Sequence, residues 1–183
     1  LEPDQGDYRL IGVPLHVIHL DQDDPKKCTA RKLEARGLAK LHLSAKLAPR
    51  RGFLLDPNAE TILGPEDKGL IDIGGSLVAL DCSWKNISQS LEIIHNRTSL
   101  EGRRLPSLLA ANPVSWGKLG RLSTVEALAG SLVILGHFEQ AEEILRGFPF
   151  GNRFLDLNKE PLEAYSSVVS RDDLESVQSD FFY

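Results

Sequence analysis

The stretch that most limits the fold of this chain is SLVALDCSWKN, residues 76–86. Leu77, Val78, Ala79 and Leu80 form an aliphatic run without polar alternation. A strand covered on one face alternates, whereas a continuous apolar run is covered on both, as inside a parallel sheet. The run delivers Asp81, Cys82, Ser83 and Trp84 at its exit. In open α/β sheets the ligand occupies the crevice beyond the carboxyl ends of the strands, and Asp81 and Trp84 stand there.

The surrounding pattern extends that sheet. PLHVIHL (14–20) reads as an earlier strand with His16 and His19 on opposite faces, broken by Asp24 and Pro25. TARKLEARGLAKL has helical spacing at Leu33, Leu38 and Leu41, with Thr29 as its N-cap. GFLLDP (52–57) is the next strand, LGPEDKGLIDIGG is loop and short helix, and a helix is expected from Ser83 or Lys85. RTSLEGRRLP then reads as loop. The first half is thus β–α–β–(α)–β–α, the order of a parallel sheet. From Thr124 the pattern is helical: Ser123 and Glu126 form a capping box, Gly136 is a break, and a later helix is broken at Pro161. The acidic tail RDDLESVQSDFFY is either helical or loose. The expectation is an α/β parallel-sheet domain over 1–103, a mainly helical domain over 104–183, and a cleft between them.

Charge is unevenly distributed. The net charge of −5 argues against a polyanion partner, yet residues 26–51 hold nine basic residues against Glu34 alone. From Phe138 onward ten acidic residues face four basic ones. Such asymmetry suits one phosphate-facing side and one solvating side, although a solvated helix face explains part of it. Length allows one sizeable core or two small domains sharing one. No apolar stretch approaches a membrane span and no basic-then-apolar leader is seen, so no membrane association and a cytoplasmic location are expected. Cys28 and Cys82 are expected to be reduced thiols.

Familiar catalytic signatures are missing. There is no GxGxxG after the first strand, no GxxxxGK[ST], no HExxH and no GxSxG. His16, His19, His42, His95 and His137 are scattered, and no CxxC pair exists, so no metal site is expected. Asp81 at a strand exit commonly caps a helix or holds a loop; its functional role is general base or orienting group. Trp84 is either core or a flat wall for a purine or a sulfonium. The glycine-punctuated segment after Asn112–Pro113, with Gly117 and Gly120, lets backbone approach a ligand, as ordinary turns also do.

Five ordered blocks carry a resemblance: DPKKCTARKL, LLDPNAETILGPED, LVALDCSW, RRLPSLLAANPVSWGKLGRLSTVEALAG and EEILRGFPFGNRFLDLN. Together they resemble the aminocarboxypropyltransferase family that modifies small-subunit ribosomal RNA, the SPOUT-like ribosome-biogenesis proteins of archaea and eukaryotes. The likeness runs from about Asp24 to Tyr165, with Trp116 where the family usually has tyrosine and Gly64 in place of a common serine. It implies a parallel sheet whose helical carboxyl-terminal half is threaded into a deep trefoil knot. It also implies S-adenosylmethionine as the bound cofactor, a small-subunit rRNA or pre-ribosomal particle as partner, and a monomer.

Residue by residue, the resemblance assigns Thr29 to the amino-acid end of the cofactor. Leu55, Pro57 and Trp84 would be apolar walls, Leu80 would offer its carbonyl to the ribose, and Asp81 would sit near the reacting arm; Ile87, one turn on from Trp84, is expected to help it cover the methyl group. Leu105, Gly120, Leu122, Thr124 and Ala127 would line the adenine and ribose side. The expected RNA track is Lys26, Lys27, Arg31, Lys32, Lys46, Arg50 and Arg51, joined by Arg103, Arg104, Lys118 and Arg121. Three rival functions remain open at this point: an RNA methyltransferase using the same cofactor, a non-enzymatic RNA-binding assembly factor, and a general nucleotide-binding module.

Overall fold

The computed structural model describes residues 12–20 and 28–182. Five strands form one parallel sheet in the order β2-β1-β4-β3-β5. They are β1 (Leu15–His19), β2 (Lys40–His42), β3 (Gly52–Leu55), β4 (Ser76–Asp81) and β5 (Glu101–Arg103). The aliphatic run of the opening stretch is β4, and β1 and β3 flank it on either side. Its register sets His19 beside Asp81 and Leu54 beside Val78.

Both faces of the sheet are covered, as the unbroken run demands. Leu15, Val17, Phe53, Leu55, Leu77 and Ala79 point into the larger core, which also holds α1 (Thr29–Ala35) and the carboxyl-terminal helices. Ile18, Leu54 and Val78 point the other way, onto Leu91 and Ile94 of α3 (Ile87–His95) and Leu100. A short helix, α2 (Lys68–Asp72), precedes β4. The larger core draws on residues from both sides of position 103.

The helical half starts with α4 (Thr124–Ile134), capped by reciprocal Ser123–Glu126 bonds as the sequence indicates. Nine of its eleven residues are buried, the property of a helix at the centre of a domain rather than on its surface. Around it lie α5 (Phe138–Leu145), α6 (Gly151–Leu157), α7 (Lys159–Ser167) and α8 (Arg171–Phe182). The acidic tail is therefore helical through Phe182.

Four local readings are corrected. The first helix ends at Ala35 instead of running to Leu41, because Gly37 takes φ +70° and closes the end. The closing bonds are Gly37 N–H to the Glu34 carbonyl and Leu38 N–H to the Leu33 carbonyl. That release frees Leu41 to join β2. Cys28, not Thr29, is the N-cap of α1, with Sγ accepting from Arg31 N–H. RTSLEGRRLP contains β5, a three-residue edge strand too short for periodicity to register. The break before the last helices falls at Asn158, not Pro161, which sits in the first turn of α7 where no N–H is needed.

Candidate active site

Every strand runs the same way, so all five carboxyl ends meet at one edge of the sheet, and a cleft of about 770 Å³ opens there. The sheet side supplies Leu55, Asp56 and Pro57 after β3, then Leu80, Asp81, Cys82, Ser83 and Trp84 from the end of β4, with Ile87 opening α3. Cys28 and Thr29 come from the start of α1. The opposite wall is Leu105, Gly120, Arg121, Leu122, Thr124 and Ala127, from the segment before α4 and its first turns. All twelve residues named above as cofactor contacts line this one cleft. Its volume falls in the range of small-molecule sites, and its lining mixes apolar walls with a few fixed polar groups.

Asp81 sits at its centre and is held from three elements. His19, its register partner on β1, lies 2.8 Å from Oδ2 through Nδ1. The Cys28 thiol, from the cap of α1, donates to the same oxygen at 2.9 Å. Thr124, first residue of α4, reaches Oδ1 at 3.4 Å. Arg31 Nη2 approaches His19 Nε2 at 3.4 Å, and since a guanidinium only donates, Nε2 accepts and the ring proton faces Asp81. Burial and the Asp81 hydrogen bond push the Cys28 thiol up to about 11. At neutral pH it is therefore a neutral donor, unsuited to nucleophilic attack.

Three histidine readings change. His19, Cys28 and Asp81 bring their donor atoms within 4.8 Å of one another, so the histidines are not all scattered. In the structure the three are joined by hydrogen bonds through Asp81 Oδ2. His16 Nδ1 and His42 Nε2 lie 2.8 Å apart with their rings stacked, and burial followed by the neighbouring His42 and Lys40 lowers His16 to about 4. His95 Nε2 bonds Asp56 Oδ2 at 2.8 Å, steadying a second carboxylate of the cleft.

The cations divide by position. Arg103 lies over the Phe53 ring and bonds Asp67 and Glu101; Arg104 bonds Glu175 and the Ala59 and Glu60 carbonyls. Arg121 stacks on Trp84 at 5.1 Å, and Lys118 is exposed on the cleft rim. Lys32 is exposed near Phe148, and Arg31 is turned to His19. Arg50 and Arg51 directly precede β3, at the amino-terminal edge of the sheet, and β3 separates Arg51 from Leu55 by roughly 13 Å. Lys46 lies in the connection from β2 to β3, next to Ala45, which packs against Ile18, Leu54 and Val78. The structure thus does not bring Arg50 and Arg51 together with the rim cations. Lys26 and Lys27 lie outside the described residues.

The groups that sequence reasoning missed are His19, Cys28 as a partner of Asp81, and Glu126. The Glu126 carboxylate is fully buried and accepts from Ala111 N–H, the Asn112 amide, Ser123 N–H and the Ser123 hydroxyl. Its capping box was legible; its hold on the Ala111–Asn112 turn was not.

Residues 53–182 match the family model described as "Ribosome biogenesis protein, C-terminal". Residues 13–47 match a model described as a possible Fer4-like domain in RNase L inhibitor. Iron–sulfur clusters are held by several cysteine thiolates, and that segment has Cys28 alone. The chain is 41% identical over 169 residues to the 16S rRNA aminocarboxypropyltransferase of Methanosarcina mazei, covering 92% of this chain and 95% of that one. To the enzyme of the same name from Halobacterium salinarum it is 45% identical over 164 residues, covering 90% and 93%. A solved structure titled as the SAM-dependent rRNA:acp-transferase Tsr3 from Vulcanisaeta distributa superposes with a TM-score of 0.78 at 35% identity, covering 92% of this chain and 97% of that one. By these likenesses, over nearly its whole length, the chain belongs to the family of the 16S rRNA aminocarboxypropyltransferases.

Proposed function

We propose that this protein transfers the 3-amino-3-carboxypropyl group of S-adenosylmethionine to a uridine, pseudouridine or N1-methylpseudouridine base of small-subunit rRNA. The observation that carries the reading is the single cleft at the strand ends, lined by an indole, an anchored carboxylate and strand-end backbone, in a member of this family. That lining suits a cationic nucleoside: carboxylates for a sulfonium and an ammonium, apolar walls for adenine and a methyl group.

The donor supplies an electrophilic carbon on a sulfonium. A ring nitrogen of the base forms the C–N bond to the methylene of the longer arm as that C–S bond breaks. The bonding pair stays on sulfur, methylthioadenosine leaves, and the ring proton passes to a carboxylate or to water. Which arm reacts is decided by alignment. Trp84 and Ile87 would cover the methyl and turn the longer arm outward. Thr29 would hold the amino-acid end, with Leu55 and Pro57 as walls. The Leu80 carbonyl would take the ribose hydroxyls, and Leu105, Gly120, Leu122, Thr124 and Ala127 would enclose the nucleoside. Asp81 would accept the proton or orient the arm. Lys118 and Arg121 at the rim, with Lys32, Lys46, Arg50 and Arg51 beyond it, would bind phosphates, leaving selectivity to RNA shape. Lys26, Lys27, Arg31, Arg103 and Arg104 complete the proposed track.

The finer architecture belongs to the same reading: a sheet domain over 1–103 and a helical domain over 104–183, the latter threaded through a loop as a deep trefoil knot, in a cytoplasmic monomer acting on a pre-ribosomal particle. Among the described residues no helix is long and apolar enough to cross a membrane.

One experiment tests the activity. Incubation with small-subunit rRNA and S-adenosylmethionine labelled either in the carboxyl or in the methyl group should place only the carboxyl label in RNA, with methylthioadenosine released. Transfer of the methyl label alone would establish a methyltransferase. No transfer and no cofactor retention by calorimetry would leave an assembly factor.

A further inference from the structure

Beside the cleft, the chain between Ala110 and Arg121 forms a loop whose stem is fixed and whose tip is apolar and exposed. The stem is bonded at both ends. Ala110 N–H donates to the Lys118 carbonyl and Gly117 N–H to the Ala110 carbonyl, at 3.0 and 2.7 Å, and Leu109 bridges Leu119 antiparallel. The Asn112 amide reaches the Arg121 carbonyl at 3.1 Å and the buried Glu126 at 2.8 Å, tying the loop to α4. On this frame Val114 is 85% exposed, Trp116 54% and Leu119 44%. A loop built this firmly would ordinarily turn such side chains inward; an exposed indole on a rigid support is a binding feature.

Two observations say what covers it. Val114, Ser115, Lys118, Leu119 and Arg121 line the cleft, so the tip is continuous with its mouth and Trp116 stands on the outer rim. Between Glu101 and Glu126 the chain holds four cations and no carboxylate side chain; Arg103 and Arg104 are ion-paired, and exposed Lys118 and Arg121 make the cleft mouth beside the tip positive. An exposed aromatic among cations matches the surface on which unpaired bases stack. Chemistry on a ring nitrogen requires the target base to leave its stack, which uncovers the face of its neighbour.

We infer that Trp116 is a stacking platform for the unpaired RNA base next to the modified nucleotide, with Lys118 on the adjoining phosphate. The inference rests on the rRNA reading above and adds to it a second contact, outside the cofactor cleft, that holds the neighbour while the target enters.

The chain has two tryptophans, Trp84 and Trp116, so indole fluorescence can be assigned. A short hairpin RNA with uridines in an unpaired loop is titrated into the wild type, Trp116→Phe and Trp116→Ala. Binding is read independently from the polarisation of end-labelled RNA, and folding from thermal melting. Wild-type emission should be quenched as RNA binds. Trp116→Phe should keep the affinity and lose the quench, and Trp116→Ala should bind about tenfold more weakly, within the range of one base–aromatic stack. Equal affinity for wild type and Trp116→Ala, with the same quench in Trp116→Phe, would overturn the platform and leave the apolar tip to a protein partner. If none of the three proteins binds RNA, the wild type included, the rRNA reading falls and this inference with it.

Discussion

His19 Nδ1 and Asp81 Oδ2 stand 2.8 Å apart because two neighbouring parallel strands end in register. The pair is fully buried on the histidine side, where the ring is 1% exposed. Loss of the histidine removes one of the three side chains that hold the carboxylate while the strand backbone stays. His19→Ala is expected to lower turnover about tenfold or more, and His19→Asn, whose amide nitrogen lies near the position of Nδ1, to restore part of it. Recovery by Asn would mark a positioning role; equal losses in both variants would mean that only packing was disturbed.

Asp81→Asn examines the carboxylate itself. Turnover should fall on the order of 100-fold, within the range of a lost general base. Calorimetry with S-adenosylmethionine tells the two roles apart: binding retained with turnover lost assigns a base, and binding lost assigns an orienting anion.

Cys28 ties this carboxylate to alkaline stability. Its thiol is raised from 9.0 to about 11, so the folded state holds the proton that the unfolded chain releases first. The resulting stabilisation is intact below pH 9 and is lost as pH climbs towards 11. Denaturant midpoints should fall across that window and fall less in Cys28→Ala. A maleimide at pH 8 should leave Cys28 unlabelled in the native protein.

Much of the fold was legible where one element carried a strong local signal. The aliphatic run became β4, the Ser123–Glu126 box became the cap of α4, and Gly136 became the break between α4 and α5. The two edge strands were not, because three residues cannot establish a period and Gly37 hides the end of α1 inside a continuous apolar pattern. At the site, the strand-end rule pointed to Asp81 and Trp84, and the family motifs supplied the other lining residues. His19 was invisible for a different reason: its contact depends on strand register, which is long-range information absent from residues 14–20 taken alone.

Another buried carboxylate, Asp67, bears on stability instead. It is 3% exposed and accepts from Arg103 Nε and Arg171 Nη2 at 3.0 Å each, and from Gly64 N–H at 3.1 Å. These bonds fasten β5 and α8 to the Gly64–Asp67 turn before α2. Asp67→Ala takes the shared carboxylate from two guanidinium groups and should cost about 3 to 5 kcal/mol. Thermal melting should drop by roughly 6 to 20 °C for a chain of this size; a shift below 2 °C would deny the network its role.

The division of the cations predicts two kinetic signatures. Arg50→Glu with Arg51→Glu, at the sheet edge away from the cleft, should raise KM for RNA and flatten its salt dependence while sparing kcat. Lys118→Glu, on the rim, should affect both constants. Removing one cation from a phosphate should reduce the log–log salt slope by about 0.7 for single-stranded RNA. Unchanged binding of the Arg50/Arg51 variant at low salt would remove that edge from the path.

The cleft walls are contributed by segments as far apart as Cys28 and Ala127. Such a pocket has no precursor in a short fragment: it comes into being only when the chain from Cys28 to Ala127 has reached its final arrangement. Any molecule that fills it therefore acts as a brace on the whole architecture, and a hundredfold excess over its dissociation constant would add about 2.7 kcal/mol of resistance to unfolding. Occupancy and structural integrity are, for this protein, a single equilibrium.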